Sequence, residues 1–411
     1  MILLYIDPGT GSMLFTILIG IISALIYALR NAMVKIRFLL TGGKYISSDN
    51  TYIPYVIFSD SSRYYSIFKP ICDEMEKRKK RLLYITASAD DPLLNIEYEY
   101  IKTEYAGDGN KAYARMNMIK ADIVLSTTPG LDVYQWKRSR YVKWYVHVLH
   151  AANDATLYRM FGLDYYDALL LSGEYQINQI RQLEELRELP KKEIRLVGLP
   201  HMDYLYSRLQ KSTITLCHEK TVLLAPSWGP NGILSKYGGR IIKKLVSSNY
   251  HVIIRPHPQS FVSEREMIDS LIESYPESDM ITWDRNIDNF DTLLKADILI
   301  SDFSGIVFDY TLVFDKPIIY ADTSFDNGMC DSWWLDEKEW TFTILDKLGL
   351  QLTSDNLEQL DVLIDRCLNE NRFAEGREQA RSETWVNIGG AVKGIVDYMI
   401  EKVTNENSSL Q

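Results

Sequence analysis

The chain has 411 residues, 46% hydrophobic and 24% charged, enough material for two globular domains at about 100–200 residues each. Its formal net charge of −10 excludes bulk nucleic-acid binding, which needs a strongly basic surface, so an anionic ligand must be met by a local cluster of cations. The four cysteines, Cys72, Cys217, Cys330 and Cys367, show neither metal-ligand spacing nor the density of a disulfide scaffold and read as reduced thiols.

In chain order, the first element is apolar. Residues 13–29, "MLFTILIGIISALIYAL", carry no charge and reach the lower limit of about 17–25 residues for a spanning helix. Arg30, Lys35, Arg37 and Lys44 follow the run, against a lone Asp7 before it. The bias in positive charge places the N-terminus outside and the body in the cytoplasm. No Ala-x-Ala-like site follows and the basic residues come after the apolar run, so an uncleaved anchor over 1–40 is favoured over a signal peptide. A re-entrant or interfacial helix is the alternative.

From Ile53 onward, short apolar strands alternate with amphipathic helices. "YVIFSD" reads as a strand, and Ile67, Ile71 and Met75 then mark one face of a helix. "RLLYITAS", "ADIVLST", "KWYVHVLHA" and "DALLLSG" read as further strands, with helices near 110–120 and 174–189. After a polar crossing the pattern restarts: strands "TVLLAPS", "HVIIRP", "DMITW", "DILISD" and "PIIYA", with helices over 236–248, 263–274, 288–295 and 305–314. This alternation predicts an α/β chain with two doubly wound, Rossmann-like parallel sheets facing a cleft.

In such sheets ligands sit beyond the carboxyl ends of the strands, which singles out the polar residues there. Four ends collect in the second half: Pro226-Ser227-Trp228, Arg255-Pro256-His257-Pro258, Trp283-Asp284, and Ser301-Asp302-Phe303-Ser304-Gly305. The last stretch alone is explained by an ordinary helix N-cap. Beside Arg255, a fork for phosphate oxygens, and His257, held between two prolines, it reads as an anion site at a helix start. In the first half, His150 ends a strand where a base reaches a cleft, whereas His147 is mid-strand and structural. Lys137, Arg138, Arg140 and Lys143 interleave with aromatic residues; the run is either a solvated basic loop or a docking surface for anionic lipid or a phosphorylated acceptor. No His/Cys cluster points to a metal. Trp333-Trp334 reads as core or lid before it reads as a stacking platform.

These motifs, in this order, resemble the CDP-glycerol glycerophosphotransferase family of teichoic-acid-type primases and polymerases. The carriers are "ADILISDFSGIVFDYTLVFDKPIIYA", "HVIIRPHP", "LLAPSW" and "LVGLPHMDYL"; "IFSDSSRYYSIFKPICDEMEKR" and "LDYYDALLLSGEYQINQIRQLEELR" further resemble a membrane-tethered branch. The resemblance implies glycosyltransferase B architecture and attack of an acceptor hydroxyl on the β-phosphorus of a CDP-alditol, with release of CMP. It implies His150 and His257 as catalytic, with Arg255, Ser301, Asp302, Ser304, Gly305, Ser227 and Trp228 around the donor. It implies CDP-glycerol as donor substrate, no tightly bound cofactor, and a lipid-linked or polymeric glycan as acceptor. The chain departs from the family pattern at Leu149-His150-Ala151, His201, Gly229 and Gly305.

The expected organisation is therefore an anchor over 1–40, an acceptor domain over 50–206, a donor-nucleotide domain over 220–375, a terminal helix over 376–402 packing back on the first half, and a disordered tail over 403–411. The expected location is the cell membrane, with the body on the cytoplasmic side. A nucleotide-sugar glycosyltransferase of the same fold and a catalytically silent membrane scaffold are the rival expectations.

Overall fold

The computed structural model of the chain describes residues 52–212, 220–286 and 288–408, together with Leu25. The chain divides into two compact units, residues 1–52 and 53–411, and everything below concerns the second. The expected anchor over 1–40 lies outside the described residues; among the described residues no helix is long and apolar enough to cross a membrane.

The first half carries a seven-stranded sheet made of β1 (Ile53–Ser59), β2 (Leu82–Thr86), β3 (Ile101–Tyr105), β4 (Ala121–Ser126), β5 (Val142–Val148), β6 (Ala168–Leu171) and β7 (Glu193–Leu196). Its strand order is β3-β2-β1-β4-β5-β6-β7, and every pairing is parallel. The second half carries six strands, β8 (Thr221–Leu224), β9 (His251–Ile254), β10 (Ile281–Trp283), β11 (Ile298–Ser301), β12 (Ile318–Ala321) and β13 (Gly349–Leu352). Their order is β10-β9-β8-β11-β12-β13, again all parallel. Central strands such as β4 and β11 are buried along their whole length, which is why they read as unbroken apolar runs.

Each sheet winds outward from a central strand and then returns beside it, so the strand order reverses between β1 and β4 in one half and between β8 and β11 in the other. Crevices at such reversals are where open α/β sheets take ligands. The same device sews both. The hydroxyl of Ser126, last in β4, donates to the Phe58 carbonyl at 2.8 Å, and the hydroxyl of Ser301, last in β11, donates to the Ala225 carbonyl at 2.6 Å.

Helix α1 (Tyr65–Lys77) buries Ile67, Phe68, Ile71, Cys72 and Met75 against the first sheet. One apolar cluster then runs without interruption from Val56, Leu169 and Leu199 in the first half to Leu299, Phe308 and Leu348 in the second. Burial shared in this way, at about 25 cal/mol per Å2, ties the two sheets into one compact unit.

Helix α2 (Pro200–Lys211) takes in residues 207–211, the start of the polar stretch over 207–220 expected as a crossing. The single helix expected over 376–402 is two, α3 (Arg372–Thr384) and α4 (Ala391–Ser408). The break is built by Asp203, in the first turn of α2. Its carboxylate accepts from the N–H groups of Gly389 and Ala391 and from the Trp385 indole at 2.9–3.0 Å, satisfying donors that a helix start leaves open. Helix α4 lies on the first sheet with Ile395, Val396 and Met399 buried beside α1, and it continues to Ser408 where a disordered tail from 403 is expected.

Candidate functional site

The loops leaving β1, β4 and β5 present their polar residues at one end of the first sheet. His150 follows β5 by two residues and is half-buried. Its Nδ1 lies 3.1 Å from both Thr127 Oγ1, just past β4, and Tyr158 Oη, so the imidazole is oriented from two sides. Holding Nδ1 in this way leaves Nε2 as the nitrogen available to a substrate proton. Burial lowers the His150 pKa to about 4, with the charges of Arg63 and His201 adding to the effect, and the ring is neutral near pH 7. His147 sits within β5, fully buried. Its Nε2 donates to the Thr127 carbonyl at 3.2 Å, and burial takes its pKa to about 3. This histidine supports the Thr127 backbone that in turn positions His150.

At the corresponding end of the second sheet, Ser301 and Asp302 face inward. Asp302 is 1% exposed, and its carboxylate accepts from the Ser227 N–H at 3.0 Å and the Ile233 N–H at 2.8 Å. These two residues therefore fix the β8 loop to the β11 loop and present Ser227, Ser304 and Gly305. Ser304 is half-buried and opens a short α-turn, Ile306–Phe308, that continues as a π-turn over Asp309–Val313. Trp228 is 49% exposed at the tip of the β8 loop.

Arg255 does not stand open as a phosphate fork. Its guanidinium donates to Asp284 at 2.5 Å and to the Asn286 carbonyl at 2.7 Å. Burial alone would raise the Asp284 pKa, but hydrogen bonds from Thr292 and the Asn286 N–H and the Arg255 charge outweigh it and the net shift is downward. The pair anchors the end of β9 and so aims His257. That residue is half-buried, and its Nδ1 accepts from the Gln259 N–H at 3.1 Å. Burial and the Arg63 charge lower its pKa, with Glu264 opposing.

The β11 loop meets the His150 loop. A Cβ placed on Gly305 would sit 3.6 Å from Asn153 Nδ2 and 3.9 Å from the Ala151 methyl. The contact is held from outside by Asp154, whose carboxylate accepts from the N–H groups of Trp340 at 2.9 Å and Thr341 at 2.7 Å in the second half. Neither space nor backbone demands glycine at 305, where φ is −60°. Gly305→Ser is therefore expected to leave the unfolding free energy unchanged or raise it by up to about 1 kcal/mol, read by urea denaturation. Its hydroxyl would face Asn153 Oδ1, buried with no partner among the described residues.

The basic run is placed elsewhere. Lys137, Arg138, Arg140 and Lys143 lie before or at the start of β5, and His150 lies past its other end, about 20 Å away for seven extended residues. Arg138 pairs with Asp167 at 2.9 Å and Lys143 with Asp122 at 2.8 Å. Lys137 Nζ donates to the Asp132 carbonyl at 2.8 Å, while Arg140 lies over the Tyr141 ring. Trp333 and Trp334 are on the surface, 59% and 38% exposed, where a core role is one of the expectations.

Other residues at this place were not singled out as site residues from the sequence, His201 being noted only as a departure from the family pattern. Arg63 and Tyr64 follow β1 in a 3-10 turn, and the Tyr64 ring lies 5.2 Å from that of His150. His201, in the first turn of α2, bridges the halves: Nδ1 is 2.7 Å from Ser66 Oγ and Nε2 is 3.1 Å from Asp309. Burial alone would lower its pKa, but Asp309 outweighs that and the net shift is upward. The available signal was the polar stretch "SDSSR" at the end of a central strand, the same criterion applied to the second half. Among the described residues no group of three or more His, Cys, Asp or Glu side chains is arranged to hold a metal ion.

Comparison with known proteins meets the same residues. Residues 146–327, which include His150, Ser227, His257 and Ser301 through Gly305, match the family described as CDP-Glycerol:Poly(glycerophosphate) glycerophosphotransferase. The resemblance to this family read from the motifs is borne out over these residues. A teichoic acid glycerol-phosphate primase of Bacillus subtilis (strain 168) is 24% identical over 161 residues, covering 38% of this chain and 39% of the primase, so the match spans about two fifths of that relative. Among solved structures, the wall teichoic acid polymerase TagF aligns at a TM-score of 0.55 and 15% identity over 93% of this chain and 98% of that one. MnaA of S. aureus with UDP aligns at 0.60 and 12% identity over 86% and 97%. UDP-GlcNAc 2-epimerase of Neisseria meningitidis bound to UDP-GlcNAc aligns at 0.53 and 14% over 85% and 100%. At such identities these structures share the fold.

Proposed function

We propose that this glycerophosphotransferase-like chain moves glycerol phosphate, or a related alditol phosphate, from a CDP carrier to a membrane-associated glycan or lipid-linked acceptor. The two halves act as a glycosyltransferase B pair, residues 50–206 on the acceptor side and residues 220–375 on the donor side. The observation that carries the reading is the approach of Gly305 to Ala151 and Asn153, which brings the β11 loop against the loop that holds His150.

In this reaction the acceptor oxygen forms a bond to the β-phosphorus and the bond from that phosphorus to the bridging oxygen breaks. The electron pair leaves with CMP, and the acceptor proton passes to His150 Nε2. His150 is suited to that role because its neutral form prevails at pH 7 and Thr127 and Tyr158 fix its other nitrogen. His257, Ser304 and the N–H groups opening the helical turn hold donor oxygens, and Arg255 acts through β9 by fixing the approach of His257. Membrane attachment through the apolar run at 13–29, with this body on the cytoplasmic side, completes the reading.

The test is release of CMP from CDP-glycerol by the full chain with membrane extract as acceptor. CMP release above the extract alone supports the reading. Consumption of a UDP-sugar instead identifies a sugar transferase, and the absence of turnover with both donors leaves a scaffold.

A further inference from the structure

We infer that Arg63, carried by the first half, is the cation that grips the diphosphate of the nucleotide donor, reaching it across the cleft from the strand that carries His257. The inference rests on the site being a nucleoside-diphosphate site.

Four observations converge. Arg63 leaves the carboxyl end of β1, at the reversal point between β1 and β4, the position in the first sheet that matches that of the β8 loop, with Ser227 and Trp228, in the second. Its turn is fixed by a local cap, in which the Ser61 side chain accepts from the Arg63 N–H. The guanidinium lies 5.0 Å above the Tyr64 ring, and the other neighbour of that ring is His150 at 5.2 Å, so cation and imidazole share one aromatic support. The residue is exposed, and among the described residues it forms no ion pair.

That last point sets Arg63 apart from the other candidates. Arg255 is occupied by Asp284, Arg138 by Asp167, and Lys143 by Asp122. With a net charge of −10 on the chain, a dianionic diphosphate entering between the halves needs a cation that is not already neutralised. The Tyr64 ring ties the guanidinium to the His150 side of the cleft, and the Arg63 charge also reaches His257 on the opposite half. Asp60, the residue directly after β1, also feels it, without forming a pair. An arginine suits the task because its planar fork bonds two phosphate oxygens at once.

The arrangement has a consequence for catalysis. Burial is the larger cause of the low basicity of His150 and the Arg63 charge adds to it, so a diphosphate that neutralises Arg63 returns only that smaller part to the imidazole. The base then strengthens when donor is in place.

The test compares binding of CDP and CMP to the full chain by calorimetry, for wild type, Arg63→Gln and Arg63→Lys. The expected result is that wild type holds CDP more tightly than CMP, that Arg63→Gln weakens CDP by about 10- to 100-fold while changing CMP less than about 3-fold, and that Arg63→Lys recovers part of the loss. Equal loss of both nucleotides would indicate a structural role and overturn the inference. So would unchanged CDP binding in Arg63→Gln, or no CDP binding by the folded wild type. Wild type that binds CDP with this dependence on Arg63 but releases no CMP from CDP-glycerol leaves Arg63 as a diphosphate ligand and refutes the transfer reaction instead.

Discussion

His150→Ala is expected to lower CMP release by about 100- to 10,000-fold, the range for loss of a positioned general base, with the KM for donor changed only a few-fold. The substitution removes the imidazole from a half-buried place where its partners are two hydroxyls, so circular dichroism and urea midpoints should remain close to those of the wild type. The pH profile gives an independent check. The His150 pKa is shifted downward, to about 4, so the neutral, proton-accepting form is already dominant above pH 5. Activity referred to kcat/KM is therefore expected to be level from pH 6 to 8 and to fall as the pH drops through about 4. A variant retaining more than about a tenth of wild-type turnover would remove His150 from the role of base.

Asp302→Ala is expected to be the most damaging of the candidate-site substitutions for stability. The carboxylate is buried and accepts from two backbone N–H groups, a part-buried one at Ser227 and a buried one at Ile233. A buried donor left unsatisfied costs about 1–3 kcal/mol and the part-buried one adds less, which gives a loss of about 1–4 kcal/mol in urea or thermal unfolding. Asp302→Asn keeps an acceptor oxygen in place and should lose less than half as much. If Asp302 instead contacts substrate directly, both variants would unfold like the wild type and lose donor affinity; that outcome would contradict the role assigned to it here. Burial raises the Asp302 pKa while the hydrogen bonds to its oxygens oppose the rise, consistent with a carboxylate spent on the backbone.

The central strands were legible because they are buried on both faces. "YVIFS", "ADIVLS" and "ILIS" are nearly unbroken apolar runs, and such runs are written plainly in a sequence. The strands that escaped notice, β3, β7 and β13, all lie at sheet edges. Their faces are partly exposed, so charge interrupts the apolar pattern in Ile101–Tyr105 and Glu193–Leu196 and a glutamine does so in Gly349–Leu352, and the period alone does not distinguish them from loops. The break between α3 and α4 was hidden for a different reason. It depends on the carboxylate of Asp203, nearly two hundred residues earlier, which nothing in the local text announces.

The parallel α/β pattern, the positions of the strand ends, and hence a short set of polar residues in which His150, His257 and Ser304 stand out, are legible in the chain alone. These follow from local rules, since hydrophobic period and chain polarity fix which residues leave a strand at its carboxyl end. Which of those residues remain available is set by long-range packing. Arg255 and Asp302 carry the right charge at the right strand ends, yet each is committed to a partner brought in from a distant segment, Asp284 in one case and the β8 loop in the other. Arg63 sits in a stretch that looked like an ordinary polar turn, yet it lies over the ring that flanks His150 and forms no ion pair among the described residues. Charge type is a property of the residue, but whether that charge is already neutralised depends on which strands lie side by side, and that is set by the fold.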